Sequence, residues 1–251
     1  MLQARAGWME LTGEPDGPPL VFGLPMVDLG AAEHAYGAVM KALYRRATTG
    51  EGSRIDLSMF RSAAMWMASP LMLTALGERV TRRGNTHQFF APVSVYPTRD
   101  GYVYVAVGND RQWEAITKLP GCESLADPAY QRNAGRIADV ERLNRRFSDC
   151  TRTMTTVDLM AALNGIGVPV AKVNNLNDVL AEPLLRESFT RARDERTGTE
   201  ILLPPLAEVS DAGLSELTFP PRLGEYNEFI YGTVLGMDRR QIAEWRERGI
   251  I

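Results

Sequence analysis

Few side chains in this sequence have the type and spacing to do chemistry. Asp28 is the most suggestive, because Gly23-Leu24-Pro25-Met26-Val27-Asp28-Leu29-Gly30 sets it just before a helix rich in small residues. Taken alone, an aspartate there reads as an N-cap: it accepts a backbone N–H and meets the positive end of the helix dipole. His34 lies inside that helix, close to one turn after Asp28, and a lone helical histidine has no partner that makes it a proton carrier. His87 falls in Arg83-Gly84-Asn85-Thr86-His87-Gln88, where a polar loop favours function more than a packed helix does, with loop solvation as the simpler explanation.

The remaining chemistries are poorly served. Two histidines, and two cysteines at 122 and 150, offer no metal-ligand spacing, and no Gly-x-Ser-x-Gly pentapeptide supports a serine hydrolase. Gly50-Glu51-Gly52 matches neither a Walker loop nor a dinucleotide fingerprint, and it follows a helix where a phosphate cradle would precede one. Tyr96, Tyr102, Tyr104 and Trp113 follow strand and helix spacing and read as core or hairpin partners.

The elements that must position these residues are legible in outline. Turn formers at Thr12-Gly13-Glu14-Pro15-Asp16-Gly17-Pro18-Pro19 make a loop, and Ala31 to Ala47 then places Ala31, Ala35, Ala38, Val39, Ala42 and Leu43 on one helical face. The helix should stop near Gly50, followed by a short strand at Arg54-Ile55-Asp56-Leu57-Ser58 and a second helix from Met59 to about Leu76. Glycines and Arg79, Arg82 and Arg83 mark a linker over residues 77–92. Val93-Ser94-Val95-Tyr96, Asp100-Gly101 and Tyr102 to Val107 form a strand, a turn signal and a second strand, hence a hairpin. Three helical stretches near 110–119, 136–150 and 155–164 follow. Beyond Asn174 come a turn and a short helix, strands and loops around Pro204-Pro205, and a last helix opened by the capping-box spacing of Asp238 and Gln241 and closed by Gly249.

Composition bounds the rest. The chain has 251 residues, 45% hydrophobic and 24% charged, the balance of a folded globular protein. A net charge of -3 without a basic run disfavours nucleic acid as a partner. No apolar stretch approaches the roughly 20 residues that span a bilayer, the N-terminus does not read as a signal peptide, and two cysteines are too few for a disulfide framework, so a cytoplasmic setting is expected.

The order of segments resembles the class III CoA-transferases, the superfamily of formyl-CoA transferase, carnitine CoA-transferase and α-methylacyl-CoA racemase. The resemblance rests on Gln3-Ala4-Arg5-Ala6-Gly7, the 12–19 loop, Pro25-x-x-Asp28, Arg46-x-x-Thr49-Gly50-Glu51-Gly52 and Ile55-Asp56-Leu57-Ser58. It continues through Arg83-Gly84-Asn85-x-His87, Ala91-Pro92, Thr98-x-Asp100-Gly101, Val107-Gly108-Asn109-Asp110, Asp127-Pro128, Gly167-Val168-Pro169 and Leu223-Gly224-Glu225. Each motif is weak alone, and their ordered set is specific. The resemblance implies that Asp28 is the nucleophile that forms an aspartyl-CoA thioester, with Gly84, Asn85 and His87 in a substrate or lid loop. It implies coenzyme A and acyl-CoA as substrates with a carboxylic acid as acceptor, no permanently bound cofactor and no metal. Glycines of the formyl-CoA transferase lid are replaced here by Thr86-His87-Gln88-Phe89-Phe90, which disfavours oxalate as acceptor.

The same resemblance implies an α/β fold: a partial Rossmann-like large domain from residues 1–76 and 190–251, a 77–92 linker and a small α/β domain over 93–189. An interlocked homodimer is implied as well. The family's usual N-terminal section has no counterpart here, so a complex with a subunit supplying it is a further expectation. Two rival readings stay open, a racemase or isomerase in which Asp28 exchanges a proton, and a catalytically silent fragment or subunit of a split enzyme.

Overall fold

The computed structural model describes residues 1–186, 188–204 and 218–251, in two compact units, Met1–Val173 and Asn174–Ile251. Pro205 of the Pro204-Pro205 pair lies outside the described residues.

The first unit opens with a helical turn, α1 (Leu2–Arg5), and a 3-10 turn at Trp8–Leu11. Helix α2 (Met26–Thr49) follows the Pro- and Gly-rich loop and ends where Gly50 takes φ +75°, a left-handed conformation that glycine adopts without a Cβ clash. It is longer than the sequence periodicity suggests, because Pro25 permits a start at Met26. Residues 54–58 form no strand, contrary to the alternation of Arg54 to Ser58; Ser58 instead caps α3 (Met59–Trp66), its side chain accepting from the Arg61 N–H. The expected single helix from Met59 to Leu76 is divided into α3 and α4 (Ala68–Ala75) at Met67. Pro70 explains the break: it has no N–H to donate, and its ring crowds the carbonyl of Trp66 four residues back.

After residues 77–92, which hold no helix or strand, β1 (Val93–Pro97) and β2 (Tyr102–Ala106) pair antiparallel around Asp100-Gly101, with Val95 opposite Tyr104. A third strand, β3 (Val170–Lys172), joins the other edge of β2, giving the order β1-β2-β3. Between them run α5 (Asp110–Ile116), α6 (Asn133–Ala138), α7 (Val140–Thr151) and α8 (Thr156–Gly165). One face of the hairpin, Tyr96, Val103 and Val105, is sealed by Trp113, Phe147, Leu143 and Leu159 into a single core. Cys122 and Cys150 are joined as a disulfide inside that core, Cα atoms 5.4 Å apart. The cysteine count alone missed this pair, since 28 residues of separation say nothing about proximity in space.

The second unit contains α9 (Leu176–Leu180), α10 (Pro183–Arg186) and the hairpin β4 (Thr190–Arg193) with β5 (Glu200–Leu203). A π-helical stretch at Glu228–Val234 precedes α11 (Arg239–Glu247). Asp238 accepts from the Gln241 N–H at the start of α11, as its spacing suggests, Ile242 is buried, and Gly249 follows the helix with φ +63°. Helix and strand are mixed as expected of an α/β chain, and every strand pair among the described residues is antiparallel.

Candidate active site

Asp28 occupies the third position of α2, inside the first turn, and is not its cap. The N-cap is Pro25, which offers no side-chain acceptor; its carbonyl takes the Asp28 and Leu29 N–H groups, each at 3.0 Å. The buried face of the turn is Val27, Gly30 and Ala31, continued by half-buried His34. Asp28 lies about 100° round the helix from Val27, off that face, and its side chain is exposed. Among the described residues the carboxylate has no hydrogen bond or ion pair. An acidic group in the first turn of a helix is favoured by the helix dipole.

The face behind it is fixed by α3. A Cβ on Gly30 would sit 2.8 Å from Trp66 Nε1, so only glycine lets the two helices approach this closely. His34 is committed to the same contact: Nδ1 lies 2.7 Å from Ser62 Oγ and the ring stacks on Trp66 at 5.9 Å. It buttresses the helix pair, and no contact joins it to Asp28.

Gly84, Asn85 and His87 do not share one cavity. Gly84 has φ +58°, donates its N–H to Gly13 O at 2.9 Å, and would bring a Cβ within 2.6 Å of Glu14 Oε2. Its role is close packing on the 12–19 loop. Asn85 lines a cleft of about 640 Å³ with Asp16, Arg83, Glu141 and Arg145. His87 lines another, of about 420 Å³, with Phe90, Tyr104, Asn109 and Gln112. Asp28 lines neither, and among the described residues no hydrogen bond or ring contact joins it to the loop.

The segment carrying His87 is pinned by residues that sequence reasoning did not single out. Asn133 donates to Phe89 O at 2.8 Å and accepts from the Ala91 N–H at 3.1 Å. Arg136, 0% exposed, donates to Ala91 O at 2.6 Å, Tyr130 O at 2.9 Å and Asp110 Oδ1 at 2.8 Å. Hydrogen bonding from Arg136 holds the Asp110 carboxyl below its ordinary range. The available signal was slight: a basic residue in an otherwise unremarkable helical stretch. Tyr104 was more legible, because alternation with buried Val103 and Val105 puts it on the outward face of β2. Among the described residues no three His, Cys, Asp or Glu side chains are grouped to hold a metal ion.

The family model for CoA-transferase family III matches residues 1–227. This chain belongs to that family. It is similar to the succinyl-CoA:glutarate CoA-transferase of Homo sapiens, 30% identical over 252 residues, which cover 99% of this chain and 58% of that protein. An acyl-CoA transferase of Fusarium pseudograminearum is 31% identical over 259 residues, 99% of this chain and 56% of that protein. Among solved structures, a CAIB/BAIF family protein from Brucella suis superposes with a TM-score of 0.80 at 32% identity, covering 93% of this chain and 62% of that one. The family III chain therefore spans less than two thirds of the length of these relatives. No helix among its described residues is long and apolar enough to cross a membrane.

Proposed function

We propose that this protein moves coenzyme A from an acyl-CoA thioester to a carboxylic acid, with Asp28 as the nucleophile. The observation that carries the reading is the Asp28 carboxylate, exposed in the first turn of α2 and unpaired among the described residues, within a chain matched by the CoA-transferase family III model. A carboxylate that serves structure is normally tied into hydrogen bonds, as Asp110 is.

In the first step a carboxylate oxygen of Asp28 attacks the thioester carbonyl; the C–S bond breaks, leaving a mixed anhydride and CoA thiolate. The thiolate then attacks the aspartyl carbon of the anhydride and releases the donor acid, which leaves an Asp28-CoA thioester. The acceptor carboxylate repeats the sequence in reverse, so thiolate ends on the acceptor's acyl carbon and Asp28 is restored. Covalent catalysis divides a difficult exchange between two acids into displacements at activated carbonyls. Asp28 sits in the first turn of α2, and the dipole of a helix N-terminus favours negative charge that develops near it.

A homodimer belongs to the same reading. It is supported by Leu29, Tyr36, Met40 and Leu43, exposed in a stripe on the side of α2 away from Val27, Gly30 and Ala31. The Rossmann-like large domain and a cytoplasmic setting complete the proposal; the Cys122–Cys150 pair is buried, away from thiol reductants. The test is CoA exchange between an acyl-CoA and an isotopically labelled acid, run on the chain alone and mixed with a polypeptide matching the part of its relatives it does not cover. Asp28→Asn should lower the exchange rate at least about a thousandfold with no change in fold. Exchange that persists in Asp28→Asn removes the aspartate from the mechanism.

A further inference from the structure

We infer that the Cys122–Cys150 bond is a buried redox lock: it is made or left open as the chain folds, is then closed to exchange, and when made fixes the segment that pins residues 89–91. The inference goes beyond the proposed transfer and does not depend on it. Cys122 is 0% exposed and Cys150 3%, inside the core with Trp113, Leu143 and Phe147. Thiol–disulfide exchange needs a thiolate to reach one of the two sulfurs, so a buried pair waits on an opening of the structure around it.

What the bond holds is a strip that runs antiparallel along α7. Residues 122–130 carry two 3-10 turns, Glu123–Leu125 and Pro128–Tyr130, and pair with no strand. Their contacts with α7 come in order. The Tyr130 hydroxyl donates to Asp139, the N-cap of α7, at 2.6 Å. Arg146 donates to Asp127 Oδ2 at 3.1 Å and to Ser124 O, with its guanidinium 5.4 Å over the Tyr130 ring. Cys150, about one turn after Arg146, closes the far end on Cys122. The Arg146 and Asp127 side chains are 26% and 33% exposed, so water and salt compete for their pairing. The covalent tie is the one that solvent does not weaken.

The strip leads into the residues that hold the 89–91 segment. Buried Arg136 donates to Tyr130 O and Gln131 O at the end of the strip and to Ala91 O beyond it, and Asn133 accepts from the Ala91 N–H. A Cβ on Gly135 would sit 2.0 Å from the Ala129 carbonyl oxygen, so the turn and α6 are packed as one piece. A strip freed from α7 at Cys122 therefore loosens Arg136 and, through it, Ala91. Reduction reaches that state by exchange with a dithiol. One thiolate attacks a protein sulfur to give a mixed disulfide, the second thiol releases it, and two electrons and two protons pass to the pair as the dithiol closes into a cyclic disulfide. Closing a span of 28 residues also restricts the unfolded chain, which stabilises the oxidised form against unfolding.

The experiment compares the same chain folded from urea in two ways, into glutathione disulfide and into dithiothreitol. Alkylated afterwards in urea, the first product should take up no alkyl group, and the second should be alkylated at both Cys122 and Cys150. Dithiothreitol added to the folded oxidised chain should reduce it at least about a hundredfold more slowly than in urea. The thiol form should melt about 10 °C lower, and its Tyr130 and Ala91 amide hydrogens should exchange at least about tenfold faster with those of β2 unchanged. Cys122→Ala combined with Cys150→Ala should match the thiol form in either buffer, and if that variant does not fold the reduced wild type decides. Alkylation of the glutathione product shows that there is no bond, and reduction as fast in the folded chain as in urea shows that there is no lock; either overturns the inference. So does equal exchange at Tyr130 and Ala91 in the two forms, or a rise that reaches β2 as well, which makes the bond a general staple of the unit.

Discussion

The acidic residues of the first unit divide by what surrounds them. Asp100 accepts from the N–H and hydroxyl of Thr156, and Asp110 from Arg136, Arg132 and the Asn133 N–H; Asp28 accepts from nothing described. Backbone bonding from Thr156 lowers the Asp100 carboxyl below the ordinary 3.8, and bonding from Arg136 does the same for Asp110. A carboxyl whose folded value lies below its unfolded one binds fewer protons when folded. Its stabilisation is complete above the ordinary carboxylate range and is lost as pH falls through 3.8 and on through the lowered folded value. Urea midpoints should therefore be level from neutral pH to about 5 and fall below it, and the fall should shrink in Asp100→Asn. An equal acid loss in that variant would show that Asp100 contributes nothing to it. Asp28 itself was legible in the sequence as a carboxylate at a helix start; its exact turn position was not, because a proline at the N-cap leaves no capping signature to read.

Elements whose ends are set locally were the readable ones. Gly50 stops α2, Asp100-Gly101 turns the hairpin, and Asp238 opens α11, each by backbone rules that act within a few residues. Features requiring distant partners were not readable: the Cys122–Cys150 pair, the Asn133 and Arg136 anchors of the 89–91 segment, and the failure of residues 54–58 to find a strand partner. The split at Met67 was present in the sequence as Pro70, outweighed by the run of Met, Ala and Trp around it. Helix α6 carries a sharper constraint, since a Cβ on Gly135 would sit 2.0 Å from the Ala129 carbonyl oxygen, and backbone cannot swing aside as a side chain can. Gly135→Ala should cost about 3 kcal/mol, at the upper end for overpacking, measured by denaturant unfolding. Because α6 supplies Asn133 and Arg136, the same variant should speed hydrogen exchange at Phe89 and Ala91. Unchanged stability would mean the 128–135 turn yields without loss.

At the scale of the molecule, α2 is apolar on two sides. One side, Val27, Gly30 and Ala31, is covered within the unit, and the other exposes Leu29, Tyr36, Met40 and Leu43 to solvent. Patches of this kind usually mark an interface. Sedimentation velocity should show a dimer at micromolar concentration, and Met40→Asp with Leu43→Asp should weaken it at least tenfold while leaving circular dichroism unchanged, since burying a charge without a partner is costly. A wild-type monomer at high concentration would contradict the proposed homodimer. The central claim, that Asp28 is a covalent nucleophile, is tested most directly by intact mass after incubation with an acyl-CoA, with the remaining part of its relatives supplied. The account predicts an acyl or CoA adduct, mapped to the peptide containing Asp28, discharged by hydroxylamine and missing from Asp28→Asn. An unmodified wild-type chain under conditions where CoA exchange proceeds, or an adduct retained in Asp28→Asn, would contradict it.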